Sequence, residues 1–235
     1  MCTLRQLAAA LVAVGVGLAA TGCAVTTHGS PVFAGHSGAL AAPPVAVEAL
    51  DRSLLSTAEI NTVMAATGMT VHTSRQNMWD DSPGVTDMNC LAVDGPAEDK
   101  VYTGRRGWTA MGAQVLQEPG DAWTHYVLQS VVAFPSVADA AAFFTASSKS
   151  WRACSNRQFT YTRPGPDRVW TTAQVSNAAG TLAISLVLAG VRHWTCHALT
   201  VANKVAVDVQ ACGFNQTEPA AVAIAGQIAA KLADR

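Results

Sequence analysis

Apolar and polar positions change rhythm several times along this chain, and each change marks an element. Leu7 to Ala20 is a nearly unbroken apolar run behind a short polar start that carries Arg5. Residues 24–50 are rich in Gly, Pro, Ser, Thr and Ala and show neither helical nor strand period. From Leu54 the pattern becomes amphipathic. Ile60, Val63, Met64 and Thr67 recur at helical spacing, and Ser56-Thr57-Ala58-Glu59 ahead of them is a capping box, with Ser56 as N-cap and Glu59 reaching back. Leu55 and Ile60 stand at the staple positions, and Gly68 is the expected stop. Residues 74–100 read as a long polar loop that contains Asp80-Asp81-Ser82-Pro83-Gly84 and Cys90.

Strand patterns follow. Trp108 to Gln117 alternates and Trp123 to Ala133 returns, with Glu118-Pro119-Gly120-Asp121 between them as a turn by its residue types. Ser136 caps an Ala-rich helix from Val137 to about Trp151, with Phe143 and Phe144 on its buried side. Segments 158–162, 170–176 and 181–187 predict further strands, broken by Arg163-Pro164-Gly165-Pro166 and Asn177-Ala178-Ala179-Gly180. Residues 194–213 predict a closing hairpin. Thr217-Glu218-Pro219 opens a last helix to about Leu232, with Ala221, Ile224, Ile228 and Leu232 on one face. Sequential strands with short turns imply a mainly antiparallel sheet with helices packed on one face, an α+β two-layer domain.

The leading apolar run is too short for a bilayer core of about 30 Å, which takes roughly twenty residues. Followed by Leu18-Ala19-Ala20-Thr21-Gly22-Cys23, it has the form of a bacterial lipoprotein signal. The organisation expected is a signal peptide over 1–22, a flexible tether over 23–50 that begins at a lipid-bearing (palmitoylated) Cys23, and one folded domain over 51–235. The domain would stand on the extracytoplasmic face of the cell membrane, held there by the lipid. Charge is nearly balanced, 15 Lys+Arg against 16 Asp+Glu, which argues against nucleic acid as a partner.

Of six cysteines, Cys2 leaves with the signal and Cys23 takes the lipid. The even remainder, Cys90, Cys154, Cys196 and Cys212, reads as two disulfides in an exported domain, with three pairings open by count. The closing hairpin discriminates between them. Placing Cys196 opposite Cys212 sets His197 against Ala211, Leu199 against Val209 and Val201 against Val207, a mostly apolar face. The other face then carries Thr200 opposite Asp208 and Ala198 opposite Gln210, with the two cysteines facing each other. A one-residue slip would mix these faces, so the pattern supports a Cys196–Cys212 bond and leaves Cys90–Cys154.

Catalytic signatures are lacking: neither G-x-S-x-G nor HExxH occurs. His193 and His197 flank Cys196, but on a strand the two histidines lie about 13 Å apart at about 3.3 Å per residue, too far for one ion, so no metal is expected. No cofactor is implied. Asp80-Asp81 reads as a solvated turn, and most of the tryptophans as packing. Trp123 and His125 differ, since they follow a turn and couple an aromatic surface to polar groups, which suits a small ligand or peptide. Asp208, Gln210 and Thr200 on the hairpin's polar face would line the same cleft. Alternation keeps Trp123, His125, Asp208 and Gln210 off the core, so replacing them is expected to cost within about 0.5 kcal/mol.

Several stretches together carry a resemblance. They are Leu54 to Asn61 through Gly68-Met69, Asp87-Met88-Asn89-Cys90-Leu91, Gln117 to Asp121, Trp151-Arg152-Ala153-Cys154-Ser155-Asn156, and Val205 to Gly213. Over about residues 50–234 the chain resembles the PknH-like extracellular sensor domain family, mycobacterial domains also found in lipoproteins. The resemblance implies disulfides from first to second and third to fourth cysteine, and an antiparallel sheet curved around a polar cleft for an unidentified ligand. Nothing ahead of the domain reads as a kinase or transmembrane helix, so the expectation is a non-catalytic envelope lipoprotein that binds a small ligand or envelope component and does not itself relay a signal. The alternatives are an exported hydrolase with a site assembled from scattered residues, and a structural envelope protein.

Overall fold

A computed structural model describes residues 46–103, 107–121, 123–162, 165–190, 194–213 and 219–234, apart from the side chain of Trp194. The expected signal peptide, Cys23, most of the tether, His193 and the Thr217-Glu218 helix start lie outside the described residues.

The described residues form one nine-stranded, wholly antiparallel sheet with helices, an α+β fold. Its strands are β1 (Thr70–Arg75), β2 (Ala110–Gln117), β3 (His125–Ala133), β4 (Gln158–Tyr161), β5 (Arg168–Thr172), β6 (Ser176–Ala178), β7 (Thr181–Leu188), β8 (Trp194–Ala202) and β9 (Val205–Gly213). They run β1-β2-β3-β9-β8-β7-β5-β4 across the sheet, with β6 beside β7. The closing hairpin is therefore central, and β3 pairs with its second strand. Both β3 and β9 read as near-continuous apolar runs and are buried from Val127 to Ala133 and from Val205 to Val209. Such runs mark strands covered on both faces.

Helices do lie on both faces, which corrects the two-layer expectation. Against one face pack α1 (Val47–Asp51), α2 (Thr57–Met64) and α6 (Pro219–Ala233), whose Ile224 and Ile228 meet Val131, Val207 and Val209 in one core. Full burial of each such isoleucine contributes about 1.5–3 kcal/mol. Against the other face lie two single-turn helices, α3 (Leu91–Asp94) and α4 (Asp99–Tyr102), and the long α5 (Val137–Ala153). There Trp151, Tyr102 and Leu91 share a second core with Val132, Leu199 and Ala206. Parity along β9 separates the two: Val205, Val207, Val209 and Ala211 face α6, while Ala206, Asp208, Gln210 and Cys212 face the other way.

The capping box forms as expected. Glu59 N–H donates to Ser56 Oγ at 3.3 Å, and Ser56 N–H donates to Glu59 Oε2 at 2.7 Å. Lys231 of α6 also reaches Glu59, at 2.9 Å, tying the last helix to the first long one. That contact foremost, together with the Ser56 hydrogen bonds, holds the Glu59 carboxyl down at about 2. The helix ends in a left-handed Ala65 (φ 52°), ahead of Gly68. In the segment read as tether, α1 buries Leu50 completely. β1 falls where no strand was predicted, because as an edge strand it is mostly exposed and lacks an apolar alternation.

Register is where the hairpin departs from expectation. Cys196 pairs with Ala211 and Thr195 with Cys212, one residue away from the pairing that faces the two cysteines. Directly paired residues share a face, so Cys196 points toward α6 and Cys212 points the opposite way. No disulfide joins them; Cys90–Cys154 is the one disulfide among the described residues. The alternation argument failed because both faces of this hairpin are buried, so an apolar face did not identify the register.

Candidate ligand-binding cleft

The segment read as a polar loop is a roof over the end of the sheet nearest the β2–β3 turn. It is fastened at four places. Cys90–Cys154 pins the start of α3 to the end of α5. Arg157 pairs with Asp87 at 2.7 Å. Thr86 N–H donates to Thr160 O at 2.9 Å and Thr162 N–H to Gly84 O at 2.8 Å, joining the loop to β4. Its two arms meet where Trp79 N–H donates to Ala97 O (3.1 Å) and Asp99 N–H to Trp79 O (2.7 Å). The close approach to β4 demands a glycine: a Cβ on Gly84 would stand 2.9 Å from the Thr162 carbonyl oxygen.

Between roof and sheet lies a cleft of about 290 Å³. The sheet contributes Tyr126 and Leu128 from β3, Gln210 and Cys212 from β9, Thr195 from β8, Arg168 and Trp170 from β5, and Tyr161 from β4. Trp123 comes from just ahead of β3, and the roof adds Trp79, Asp81 and Asp94. Five aromatic side chains with two carboxylates and one guanidinium make walls that are flat and apolar yet charged at defined points. Arg168 lies 5.2 Å over the Tyr161 ring, and Arg75, outside the lining, lies 4.7 Å over Trp79.

Charge is concentrated at the roof. Tyr161 donates to Asp81 Oδ1 at 2.8 Å, and the Asp81 N–H donates to Glu98 Oε2 at 2.9 Å. Glu98 is buried (3% exposed) and its Oε1 has no hydrogen-bond partner. Burial foremost, with the Asp81 and Asp80 carboxylates adding to it, pushes the Glu98 carboxyl up to about 7. Asp94 is pushed to about 7 as well, first by burial and then by Asp81 and Glu98. The Cys212 thiol, beside Thr195 Oγ1 at 3.1 Å, is raised by burial to about 12 and is no nucleophile at neutral pH.

The four residues singled out from sequence do not gather. Trp123 and Gln210 line the cleft, the first with its ring 5.6 Å from Tyr126 and the second donating to Asp94 O at 3.0 Å. His125 belongs to the opposite parity of β3 from Tyr126 and Leu128, and binds Glu118 at 2.5 Å instead. Trp123 escapes that parity because it precedes the strand. Asp208 shares the cleft's face of β9 but lies deeper, under α3, α4 and α5. It accepts from Tyr102 Oη at 2.7 Å and Ala97 N–H at 3.0 Å, and His197 Nε2 stands 2.5 Å away. The His197 ring in turn lies tilted against Trp151, the ring centroids 4.6 Å apart. With Asp208 4% exposed, the expectation that this position is off the core is corrected. Thr200 pairs with Val207 and Thr181, away from the cleft.

Sequence reasoning missed Asp94, Arg168, Trp79 and Trp170 as a group, and took Asp81 for part of a solvated turn. The Trp79-Asp80-Asp81 cluster in a long loop was the available signal. What it faced could not be read, because the opposing wall comes from strands more than 40 residues on.

Comparison with known proteins agrees with this architecture. The PknH-like extracellular domain model matches residues 45–231. The serine/threonine-protein kinase PknH of Mycobacterium bovis is 37% identical over 194 residues, 82% of this chain and 31% of that protein. Its Mycobacterium tuberculosis counterpart is 37% identical over the same share of this chain and 30% of its own length. The chain thus spans about three tenths of the curated relatives it matches. The crystal structure of the extracellular domain of PknH from Mycobacterium tuberculosis superposes with a TM-score of 0.77 at 34% identity, covering 82% of this chain and 99% of that one. With the family model covering residues 45–231 and a relative's domain sharing the fold, this chain belongs to the PknH-like extracellular domain family.

Proposed function

We propose that this chain is a non-catalytic extracytoplasmic lipoprotein, anchored through Cys23, whose domain captures a small ligand in the aromatic cleft. The observation that carries the reading is the cleft itself: five aromatic rings and three charged side chains converge there from the roof, three strands and the segment just ahead of β3. Such a mix of flat apolar walls and a few placed polar groups is the usual make-up of a small-molecule site. The extracellular character of the family and the Cys90–Cys154 disulfide accord with an oxidising, extracytoplasmic setting.

The exported-hydrolase reading has one observation in its favour, the raised Asp94 carboxyl facing Asp81 across the roof. Against it, Asp94 and Glu98 rise together through burial and like charge, whereas acid–base work needs two environments that push a pair apart.

A metabolite and envelope-fragment screen by thermal shift tests the proposal. Hits are expected to raise the melting temperature of the wild-type domain, to lose that effect in Trp170→Ala, and to be recovered chemically unchanged. A shift retained in Trp170→Ala moves the site elsewhere, and conversion of the hit establishes the enzyme. For the anchor, wild-type protein made in a bacterial host should partition into detergent and Cys23→Ala should not; equal aqueous partitioning of both excludes the lipid.

A further inference from the structure

We infer that His197 and Gln210 are positioning residues of the cleft: with Asp208 they clasp residues 93–97 of the roof to the sheet and so hold the Asp94 carboxyl in the cleft wall. This rests on reading the cleft as the binding site and names what gives that site its shape.

The clasp is built from one face of the closing hairpin. His197 of β8 lies directly opposite Gln210 of β9, and Asp208, two residues before Gln210, shares that face. Each meets a different backbone group of the roof. His197 Nδ1 stands 3.2 Å from Val93 O, Gln210 Nε2 donates to Asp94 O at 3.0 Å, and Ala97 N–H donates to Asp208 Oδ2 at 3.0 Å. Between these points run Asp94, Gly95 and Pro96, all three in the cleft lining. Residues 95–97 belong to no helix or strand, so their placement depends on such contacts. Ala97, buried and left-handed at φ 53°, is in a conformation that persists only where the surroundings hold it.

Hydrogen bonding fixes the His197 ring. Val93 O only accepts, so Nδ1 carries hydrogen. Nε2 faces Asp208 Oδ1 at 2.5 Å, where two lone pairs would repel without a proton between them. The ring therefore donates to the roof while bonded to the sheet. Its role in placing Asp94 can be told from a mere charge effect by sign. Facing Asp94 are Asp81 and Glu98 from the roof, Arg168 from β5 and His197 from β8, the last paired with Asp208 of β9. Burial foremost raises Asp94 to about 7, and the positive charge of His197 works against that rise. Loss of the charge alone would push Asp94 higher. Release of the roof would admit water to Asp94 and bring it down.

Carbon-detected NMR titration of the Asp94 carboxyl in the purified domain tests this, beside nitrogen-15 shifts of the His197 ring. His197→Gln offers an amide to Asp208 and nothing to Val93 O. Gln210→Met keeps the length of the side chain and drops the donor without changing charge. In both, Asp94 should move from about 7 toward the ordinary aspartate value of about 4, and wild-type His197 should show a protonated Nδ1. Thr200→Val removes another β8 hydrogen bond, to Gly180 O at 3.0 Å and away from the cleft, and should leave Asp94 at about 7 whatever melting temperature it loses. Melting curves establish that each variant is folded. An unchanged or raised Asp94 in His197→Gln overturns the inference; where that variant does not fold, the same result in Gln210→Met does so. A bare Nδ1, an equal fall in Thr200→Val, or a wild-type Asp94 that titrates at about 4 overturns it as well. None of these readouts needs a ligand, so such a failure leaves the cleft reading standing. A thermal shift retained in Trp170→Ala fails the cleft reading and leaves the clasp.

Discussion

Replacing Asp208 by Ala measures how far burial overrides strand alternation. Its carboxylate is the hub of a buried network: Tyr102 Oη and Ala97 N–H donate to one oxygen, and His197 Nε2 meets the other. Truncation leaves a phenol, an amide and an imidazole facing a dry void under α4 and α5. Each stranded donor costs about 1–3 kcal/mol, and breaking a buried charged hub costs about 3–5 kcal/mol in total. For a domain of this size 1 kcal/mol moves the melting temperature by about 2–4 °C, so a drop of about 8–15 °C is expected. Differential scanning calorimetry of the domain with its disulfide intact reads this directly. Asp208→Asn keeps the shape and one acceptor oxygen but turns an amide toward a donor, and should lose about half as much. Tyr102→Phe removes one hydrogen bond to a charged acceptor, about 1.5–3 kcal/mol, and should cost little more in an Asp208→Ala background. A melting temperature within about 2 °C of wild type for Asp208→Ala would refute the hub and restore the surface reading at about 0.5 kcal/mol.

Two further predictions concern the roof. Glu98 has its carboxyl raised to about 7 on folding, so its ionisation opposes the fold: the penalty is absent below about pH 4, grows through pH 4–7 and is complete above. Glu98→Gln should therefore stabilise the domain by about 3 kcal/mol at pH 8 and hardly at all near pH 4, and equal effects at both pH values in thermal melts would dismiss the buried charge. The Cys90–Cys154 bond closes a separation of 64 residues, worth about 4 kcal/mol in the chain-entropy model, which denaturant titration of Cys90→Ser/Cys154→Ser measures. In the same domain, alkylation under non-reducing denaturation should label Cys196 and Cys212; a peptide map joining those two would reinstate the other register.

Much of the fold was legible because its signals are local. The Ser56–Glu59 capping box, the Ser136 cap, the turn at Glu118 to Asp121 and the apolar stripe of α6 each lie within a few residues, where hydrogen bonding and side-chain periodicity act directly. The family resemblance drew on the same short stretches. The tertiary structure alone decided what depends on which surface lies opposite. Hydrophobic alternation selects a register only when one face of a strand is wet, and β8 and β9 are dry on both, so a one-residue difference separated Cys196 from Cys212 and sent Asp208 inward. The cleft is a second such case. Its carboxylates sit on a loop without periodicity and its aromatic walls on strands far along the chain, brought together by one disulfide and a few backbone hydrogen bonds. The shifted carboxyls of Asp94 and Glu98 exist only through that juxtaposition, since like charge and desolvation are properties of neighbours in space.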